Sequence, residues 1–259
     1  RIERELFPNQ GIFLARGDKS GLEFVIKEYK RSSKRFEREV VINRILSAEE
    51  HQNVLLTTEF IEKKDKRYGV LPYLPLGSLS DLNYRMISPE QAATIVVGLC
   101  GGIEHLHEHN IIHRDIKNGN LLLETAENDY SEQPQVLEML SKGKITTKII
   151  DFDCAYHLKV KPLEMEGSTV GTPLYMAPQA WCGIVDYRND IYSAGIVIYH
   201  LLTGRFPFFG RNITELKAAH LTIPVPEPMQ FNQAIDRSMY NLLRTALEKN
   251  TKNRFQSAS

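Results

Sequence analysis

The chain has 259 residues, 42% hydrophobic and 25% charged, which is the composition of an ordinary globular protein with a core. Lysine plus arginine and aspartate plus glutamate number 32 each, so the overall charge attracts neither nucleic acid nor an anionic membrane. No apolar run is long enough to span a membrane, and three scattered cysteines favour free thiols in a reducing compartment.

The first part of the chain predicts a small β-rich unit with one helix. Short β-branched and aromatic runs predict strands over residues 11–16, 22–27, 55–61 and 68–71, the last two joined by a charged hairpin over 62–67. A helix is predicted over residues 32–46, because one face carries Phe36, Glu39, Ile42 or Asn43, and Leu46.

Beyond a linker over residues 72–77, the pattern becomes helical. Ser88 is a good N-cap with Pro89 at the first helical position, and Asn110 can end this helix in a left-handed conformation. A second buried helix is predicted over residues 190–203, ended by Gly204. The order of elements predicts an α+β protein with a small β-rich lobe before a larger helical lobe.

The octapeptide HRDIKNGN, residues 113–120, carries the chemistry. It places the carboxylate of Asp115, the ammonium of Lys117 and the amide of Asn120 in one short loop. Together these groups suit phosphoryl transfer from a metal-bound nucleotide: the carboxylate orients a hydroxyl, the ammonium neutralises phosphate and the amide oxygen binds magnesium.

Three further residues suit the same chemistry. Asp151 follows a short apolar strand, 31 residues after Asn120, where a carboxylate could chelate magnesium. Lys27 closes an apolar strand, where it either needs an anionic partner or reaches water from the strand end. Glu39 lies on the apolar stripe of the predicted helix and is the preferred partner, and Glu37, off the stripe, is the alternative.

These motifs resemble those of the eukaryotic-type serine/threonine protein kinases, and the resemblance covers essentially the whole chain. It implies a two-lobed fold with an N-lobe over residues 1–71, a hinge over 72–77 and a C-lobe over 78–259. It implies transfer of the γ-phosphoryl group of ATP to serine or threonine hydroxyls of protein substrates, with ATP and Mg²⁺ as cofactors. We expect the chain to be the catalytic domain of a longer protein.

The resemblance also implies a role for each site residue. Asp115 and Lys117 are the catalytic pair, and Asn120 and Asp151 are the metal ligands. Lys27 grips the α- and β-phosphates and pairs with Glu39. The nucleotide pocket is completed by a glycine of the phosphate loop, apolar residues above and below the adenine, a gatekeeper and two hinge positions: Gly11, Phe13, Val25, Leu122, Leu71, Pro72 and Leu74.

Further positions resemble structural and regulatory parts of the family. Thr172, in the substrate-docking segment 171–178, implies a hydrogen bond to the catalytic pair. Asp190 implies a buried brace for the catalytic loop, and Gln179 with Arg254 replaces an ion pair. Ser168 and Thr169 lie where kinases are activated by phosphorylation, with Arg114 as a cation for the phosphate.

The chain departs from the family pattern in the parts that tune activity. Leu6 and Pro8 occupy two glycine positions of the phosphate loop, Asp153 replaces the glycine after Asp151-Phe152, and Asn43 replaces an apolar residue. These departures keep an alternative open, in which the chain is a pseudokinase scaffold or a nucleotide-binding module. A small-molecule kinase is disfavoured by the segment 171–178.

Residues 124–144 lengthen the connection between Asn120 and Asp151 relative to the family. The insertion is interpreted as a surface decoration, with a partner-docking helix as the alternative. We expect a cytoplasmic protein, with export by a bacterium into a host cytosol as a further idea, and the sequence leaves its oligomeric state open.

Overall fold

Five antiparallel strands and one helix form the first lobe of the computed structural model, which describes residues 1–82, 86–126, 133–160 and 170–259. The strands are β1 (Ile2–Phe7), β2 (Ile12–Arg16), β3 (Glu23–Lys30), β4 (Glu59–Glu62) and β5 (Lys66–Pro72). Their order across the sheet is β1-β2-β3-β5-β4. The helix, α1 (Lys34–Leu46), connects β3 to β4.

The strand register fixes which side chains of β3 point inward. Lys27 and Tyr29 lie on the same face because side chains alternate along a strand. Tyr29 packs edge-on against Phe36 of α1, with 5.3 Å between the ring centroids. Lys27 and its neighbours on this face therefore point towards α1 and the second lobe.

In the described part of the second lobe there are five further α-helices and two short antiparallel strand pairs. The helices are α2 (Pro89–Glu108), α3 (Gln133–Ser141), α4 (Arg188–Thr203), α5 (Ile213–Thr222) and α6 (Arg237–Ala246). The strands are β6 (Ile111–Ile112), β7 (Leu121–Glu124), β8 (Thr146–Ile149) and β9 (Tyr156–His157), with β6 paired to β9 and β7 paired to β8.

Helices α2 and α4 form the centre of the core. Leu99 and Ile103 of α2 and Tyr192 and Tyr199 of α4 are at most 1% exposed. Burial of each such side chain contributes about 1.5–3 kcal/mol to folding. The core thus fixes the two helices from which the catalytic loop is positioned.

The predicted start and end of α2 and the predicted end of α4 are confirmed. Ser88 and Gln91 form a reciprocal capping box at the start of α2, and Pro89 is its first residue. Asn110 has φ +59° just after α2, and Gly204 has φ +67° at the end of α4. Helix α4 begins at Arg188, two residues before the predicted start at 190.

A short segment after α1 attaches the first lobe to the second. The backbone amide of Ile149 donates to Asn53 O at 2.8 Å, and the Asn53 side-chain amide donates to Thr147 O at 2.9 Å. The amide of Leu55 donates to Ile149 O at 2.9 Å. Residues 53–55 therefore pair with β8 of the second lobe, which is why the strand predicted from residue 55 begins only at Glu59.

The first strand was not predicted from the sequence. β1 carries three consecutive charged residues rather than an alternating pattern, because it is an edge strand with nearly all of its side chains exposed. No helix within the described ranges combines the length and apolar character that a membrane crossing requires. The lobe boundaries at residues 71, 72–77 and 78 remain predictions.

Candidate active site

The catalytic loop is braced from below by Asp190, which is completely buried at the start of α4. Its two carboxylate oxygens each accept a backbone N–H at 2.9 Å, one from His113 and one from Arg114, and His107 Nε2 lies 3.0 Å away. Burial raises the pKa of Asp190, but the hydrogen bond with His107 and the backbone N–H of Arg114 outweigh it and leave the pKa below its ordinary value. The Asp190 carboxylate, by accepting the backbone N–H of Arg114, stabilises Arg114 at φ +65°.

Asp115 is held in one orientation by its neighbours. Lys117 Nζ lies 2.7 Å from Asp115 Oδ2, and the Thr172 hydroxyl donates to Asp115 Oδ1 at 2.7 Å. Lys117 Nζ also donates to Thr172 Oγ1 at 3.1 Å. The Asn120 amide nitrogen donates to the backbone carbonyl of Asp115 at 2.9 Å. The arrangement presents a fixed carboxylate with an adjacent ammonium, which suits a base that orients a hydroxyl beside a phosphate.

Asn120 and Asp151 are brought together by the pairing of β7 with β8. Leu121 pairs with Ile149, and the amide of Ile150 donates to Asn120 O at 3.0 Å. Because the side-chain Nδ2 of Asn120 donates to Asp115, the side-chain Oδ1 of Asn120 is the atom that can bind a cation.

The donor set of Asn120 and Asp151 fits magnesium. An amide oxygen and a carboxylate are hard oxygen ligands, and Mg²⁺ is usually held by one or two such groups together with phosphates and water. Among the residues that the structure describes, no three His, Cys, Asp or Glu side chains converge as a closed metal site. The pair therefore suits an ion that arrives with a nucleotide.

Lys27 is surrounded by three carboxylates. Its Nζ lies 2.6 Å from Asp151 Oδ1, 3.5 Å from Glu39 Oε2 and 3.5 Å from Asp153 Oδ2. Burial lowers the pKa of Lys27, but Asp151, Glu39 and Asp153 outweigh it and raise the pKa well above its ordinary value. Burial likewise raises the pKa of Asp151, but Lys27 outweighs it and lowers the pKa. Lys27 is therefore positively charged, as the binding of a phosphate group would require.

Glu39, not Glu37, contacts Lys27. Glu39 is 1% exposed and accepts hydrogen bonds from the hydroxyls of Tyr29 and Thr57, the latter at 3.0 Å. Burial raises the pKa of Glu39, and the charge of Lys27 opposes this. Glu37 instead lies 3.3 Å from Arg67 at the surface.

The sequence comparisons identify the family. The model of the protein kinase domain matches residues 11–259. The chain belongs to the protein kinase family. It is 28% identical over 228 residues to the serine/threonine-protein kinase PrkC of Bacillus subtilis, covering 87% of this chain and 32% of that protein. It is 32% identical over 200 residues to the serine/threonine-protein kinase PksC of Streptomyces coelicolor, covering 74% of this chain and 33% of that protein.

A eukaryotic relative shows a similar level of identity. Calcium-dependent protein kinase 4 of Plasmodium falciparum is 28% identical over 237 residues, covering 88% of this chain and 41% of that protein. This kinase domain therefore spans about a third of the length of its bacterial relatives and about two fifths of this one.

The phosphate loop of the kinase domain is a tight hairpin. Phe7 pairs with Ile12 across the end of β1 and β2, so the connection comprises only residues 8–11. Gly11 has φ +67°, which glycine adopts without strain, and its carbonyl accepts the amide of Glu28 at 2.7 Å.

The strand register corrects one residue of the predicted adenine pocket. Val25 pairs with Leu14 on one side and with Leu71 on the other, so these three share a face with Lys27. Phe13 pairs with Ile26 and lies on the opposite face. Leu14, which is 5% exposed, therefore takes the place predicted for Phe13. The assignment depends on the register between β2 and β3, which neither strand's own sequence specifies.

The other residues predicted for the adenine pocket lie on β7 and at the end of β5. Leu122 is half-buried on β7, between the fully buried Leu121 and Leu123. Pro72 ends β5, where it pairs with Phe24, and the half-buried Leu74 follows it.

Gln179 and Arg254 are in contact. Arg254 Nη2 donates to Gln179 Oε1 at 3.0 Å, and Gln179 Nε2 donates to Lys249 O at 2.7 Å. The neutral side chain of Gln179 thus links the residues that follow segment 171–178 to residues 249–254.

Arg114 donates from Nε to Cys154 O at 2.6 Å and lies over the Tyr156 ring. Burial lowers the pKa of Arg114, and nearby Arg38 lowers it further. The predicted phosphorylation sites Ser168 and Thr169 lie outside the described residues.

The insertion contributes a helix that packs on α2. Val136, Met139 and Leu140 of α3 are buried in the main core. The side chains of Gln91 and Thr94 donate to the carbonyls of Leu137 and Leu140 at 2.9 Å. The apolar side chains of α3 therefore face α2, and docking of a partner on the insertion remains a prediction.

Two residues near the site, Arg38 and Asp153, make contacts that were not predicted from the sequence. Arg38 donates to the carbonyl oxygen of Asp153, and the Asp153 side chain joins the carboxylates around Lys27. Arg38 lies one residue before Glu39, but its partner is more than a hundred residues away, so no local sequence pattern indicated this contact.

Proposed function

We propose that this kinase domain transfers the γ-phosphoryl group of ATP to serine or threonine hydroxyls of protein substrates. The observation that carries the proposal is the Asp115 carboxylate, oriented by both Lys117 and Thr172 at 2.7 Å. Serine/threonine specificity is supported by Lys117 in the loop and by the names of the related kinases from Bacillus and Streptomyces.

Each site residue has a defined part in the proposed reaction. Asp115 accepts the hydrogen bond of the substrate hydroxyl and takes its proton as the bond to phosphorus forms. Lys117 neutralises charge on the transferred group, and Lys27 binds the phosphates that remain on the nucleotide. Mg²⁺, when bound, neutralises charge between the β- and γ-phosphates, and Asn120 Oδ1 and the Asp151 carboxylate are the oxygens that would hold it.

The adenine site follows from the corrected register. Leu14 and Val25 would cover the ring, Leu122 would lie beneath it, and Leu71 would close the back of the pocket. The carbonyl of Pro72 and the amide of Leu74 would bind the adenine edge, because proline lacks only the donor.

The experiment compares wild-type protein with Asp115→Asn and Asp115→Ala in a transfer assay with labelled ATP, Mg²⁺ and a generic protein substrate. We expect both variants to lose activity by about three orders of magnitude or more, as when the base of a catalytic unit is removed. Asp65→Ala, which removes an exposed hairpin carboxylate, is the matched control and should retain activity.

Two further readouts make the experiment specific. Asp115→Asn should keep the thermal stabilisation that ATP gives to the wild-type protein, which separates binding from transfer. Phosphoamino-acid analysis of the product should give phosphoserine or phosphothreonine. Equal transfer by wild type and both Asp115 variants would refute the proposal.

We also propose that Ser168 or Thr169 is an activating phosphorylation site with Arg114 as a phosphate ligand. The support is that the Arg114 backbone packs against Gly171, two residues beyond Thr169 in the sequence, and that a second guanidinium, Arg38, lies near Arg114. Full activity of protein that mass spectrometry shows unmodified at both hydroxyls would contradict this.

The reducing compartment expected from the sequence is supported by the cysteines. Cys100, Cys154 and Cys182 are all free thiols. We therefore propose that the domain acts in a cytoplasm. Against the scaffold without transfer activity stand the contacts of the catalytic groups: Lys117 and Asn120 contact Asp115, and Lys27 contacts Asp151.

A further inference from the structure

Asp153 receives three cationic contacts from the small lobe, two of them on a carboxylate that a glycine lacks. Its carboxylate is 10% exposed and lies 3.5 Å from Lys27 Nζ of β3 and 3.6 Å from Arg35 Nη1 of α1. Its carbonyl oxygen accepts a hydrogen bond from Arg38, also on α1. Arg35 and Arg38 are three residues apart and therefore lie on one face of the helix.

The same segment is held from the opposite side by the catalytic loop. Arg114 donates to the carbonyl of Cys154 at 2.6 Å, so two guanidinium groups bind consecutive carbonyls at 153 and 154. The pKa of Arg114 is lowered by burial and then by the charge of Arg38, which shows that these cations repel each other. The Asp153 carboxylate itself pairs with two other cations, Lys27 and Arg35.

The side chain of Asn43 is committed within the small lobe. Its amide nitrogen donates to Glu39 O at 2.8 Å, and its oxygen accepts the amide of Thr57 at 2.8 Å. Phe152 is 1% exposed and packs edge-on against His113 of the large lobe, with 5.4 Å between the ring centroids. The contacts of Asp153 with Arg35 and Arg38, by contrast, connect α1 to the segment that follows Asp151.

We propose that Asp153 is a positioning residue that holds the N-terminal half of α1 over the metal-binding segment. Through α1 it keeps Glu39 beside Lys27, and it thereby sets the affinity for ATP. The inference rests on the proposed function only for its kinetic consequence, because the position of the helix can be measured without turnover.

The test uses Asp153→Asn, which keeps the shape of the side chain and removes its charge. Hydrogen exchange of the nucleotide-free protein should become faster over residues 34–40 than in wild type. The KM for ATP should rise about two- to fivefold, the effect of losing a partly screened ion pair, with a smaller change in kcat. Asp153→Gly should show at least these effects.

A double-mutant cycle separates positioning from a general structural role. Arg35→Gln should also speed exchange in α1, and combining it with Asp153→Asn should change KM by less than the product of the single effects. Arg44→Gln removes an exposed charge from the other end of α1 and is the matched control, for which we expect neither effect.

The opposite outcomes overturn the proposal. Unchanged exchange in Asp153→Asn, or multiplicative effects in the cycle, would mean that Asp153 does not act through α1. A lower KM in Asp153→Asn would mean that Asp153 only competes with the nucleotide for Lys27. Should Asp153→Asn fail to fold, the comparison of Arg35→Gln with Arg35→Lys decides, since lysine should restore slow exchange and glutamine should not. Inactivity of the wild type would refute the proposed function and leave the exchange measurements valid.

Discussion

Thr172 links the substrate-docking segment to the catalytic loop through a single hydroxyl. The hydroxyl donates to Asp115 and accepts from Lys117, so it orders both groups that act on the phosphoryl transfer. Positioning of this kind affects the transition state more than nucleotide binding.

We expect Thr172→Ala to lower kcat by about ten- to a hundredfold, the range for removing one hydrogen bond to a charged group. Thr172→Ser keeps the hydroxyl and should retain activity close to that of wild type. Steady-state kinetics at varied ATP concentration provide the measurement, and equal kcat values for the alanine and serine variants would contradict the assigned role.

Lys249 is a second residue with an unusual environment, at the far side of the large lobe. Burial, together with the charge of Arg254, lowers the pKa of Lys249 to about 7. The Phe208 ring, 3.6 Å from Nζ, favours the charged form but does not replace the lost hydration.

This pKa predicts how stability depends on pH. The unfolded chain keeps the Lys249 proton up to about pH 10.5, whereas the folded protein releases it near pH 7, so the unfolded state binds more protons between these values. The free energy of unfolding should therefore gain a contribution as pH rises through this window, and lack it below about pH 7. Urea unfolding at several pH values should show a flatter dependence in Lys249→Met, and an unchanged one in the exposed control Lys252→Met.

At the scale of elements, Gln179 joins two parts of the large lobe that are distant in sequence. Its amide accepts from Arg254 and donates to the carbonyl of Lys249. A glutamate could form the ion pair but could not donate to the carbonyl, so the amide suits both contacts.

Gln179→Leu should lower the free energy of unfolding by about 1–3 kcal/mol, because it leaves a buried donor and acceptor without this partner. Activity of the folded fraction should persist, since Gln179 touches no reacting group. Chemical denaturation measures the loss, with Gln230→Leu at an exposed position as the control; equal stability of both variants would contradict the structural role.

The sequence predicted helices and catalytic contacts better than strand faces. Ser88, Pro89 and Asn110 define α2 because capping is a local property of the chain, and Asp115, Lys117 and Asn120 are close simply because they are five residues apart or fewer. Phe13 was assigned to the wrong face, because a register is set by the partner strand and a shift of one residue reverses every side chain. The contacts of Asp153 depend on Arg35 and Arg38, more than a hundred residues away, and no local pattern could indicate them.

At the scale of the whole molecule, the attachment of residues 53–55 to β8 requires a close approach of helix α2. A Cβ atom on Gly102 would lie 2.8 Å from the carbonyl oxygen of Asn53 and 2.7 Å from Cδ1 of Ile149. Only glycine lets the connecting segment between the lobes lie this close to the helix.

We expect Gly102→Ala to lower the free energy of unfolding by about 1–3 kcal/mol through overpacking, even though alanine is the better helix former. Val97→Ala, on the exposed side of the same helix, should have little effect. Thermal unfolding measures both, and an unchanged or higher midpoint in Gly102→Ala would show that the segment can shift without cost.

The attachment at Asn53 also has a mechanical consequence. Helix α1 ends at Leu46, close in sequence to the fixed point, and its 13 residues extend about 20 Å away from that end. The helix is therefore held at one end: a rotation of ~10° about Leu46 would move Arg35 by ~3 Å, while Leu46 itself hardly moves. A displacement of that size is enough to break the contacts of Arg35 and Arg38 with Asp153. The contacts that are most sensitive to a rotation of α1 are therefore those at its N-terminal end, farthest from Leu46.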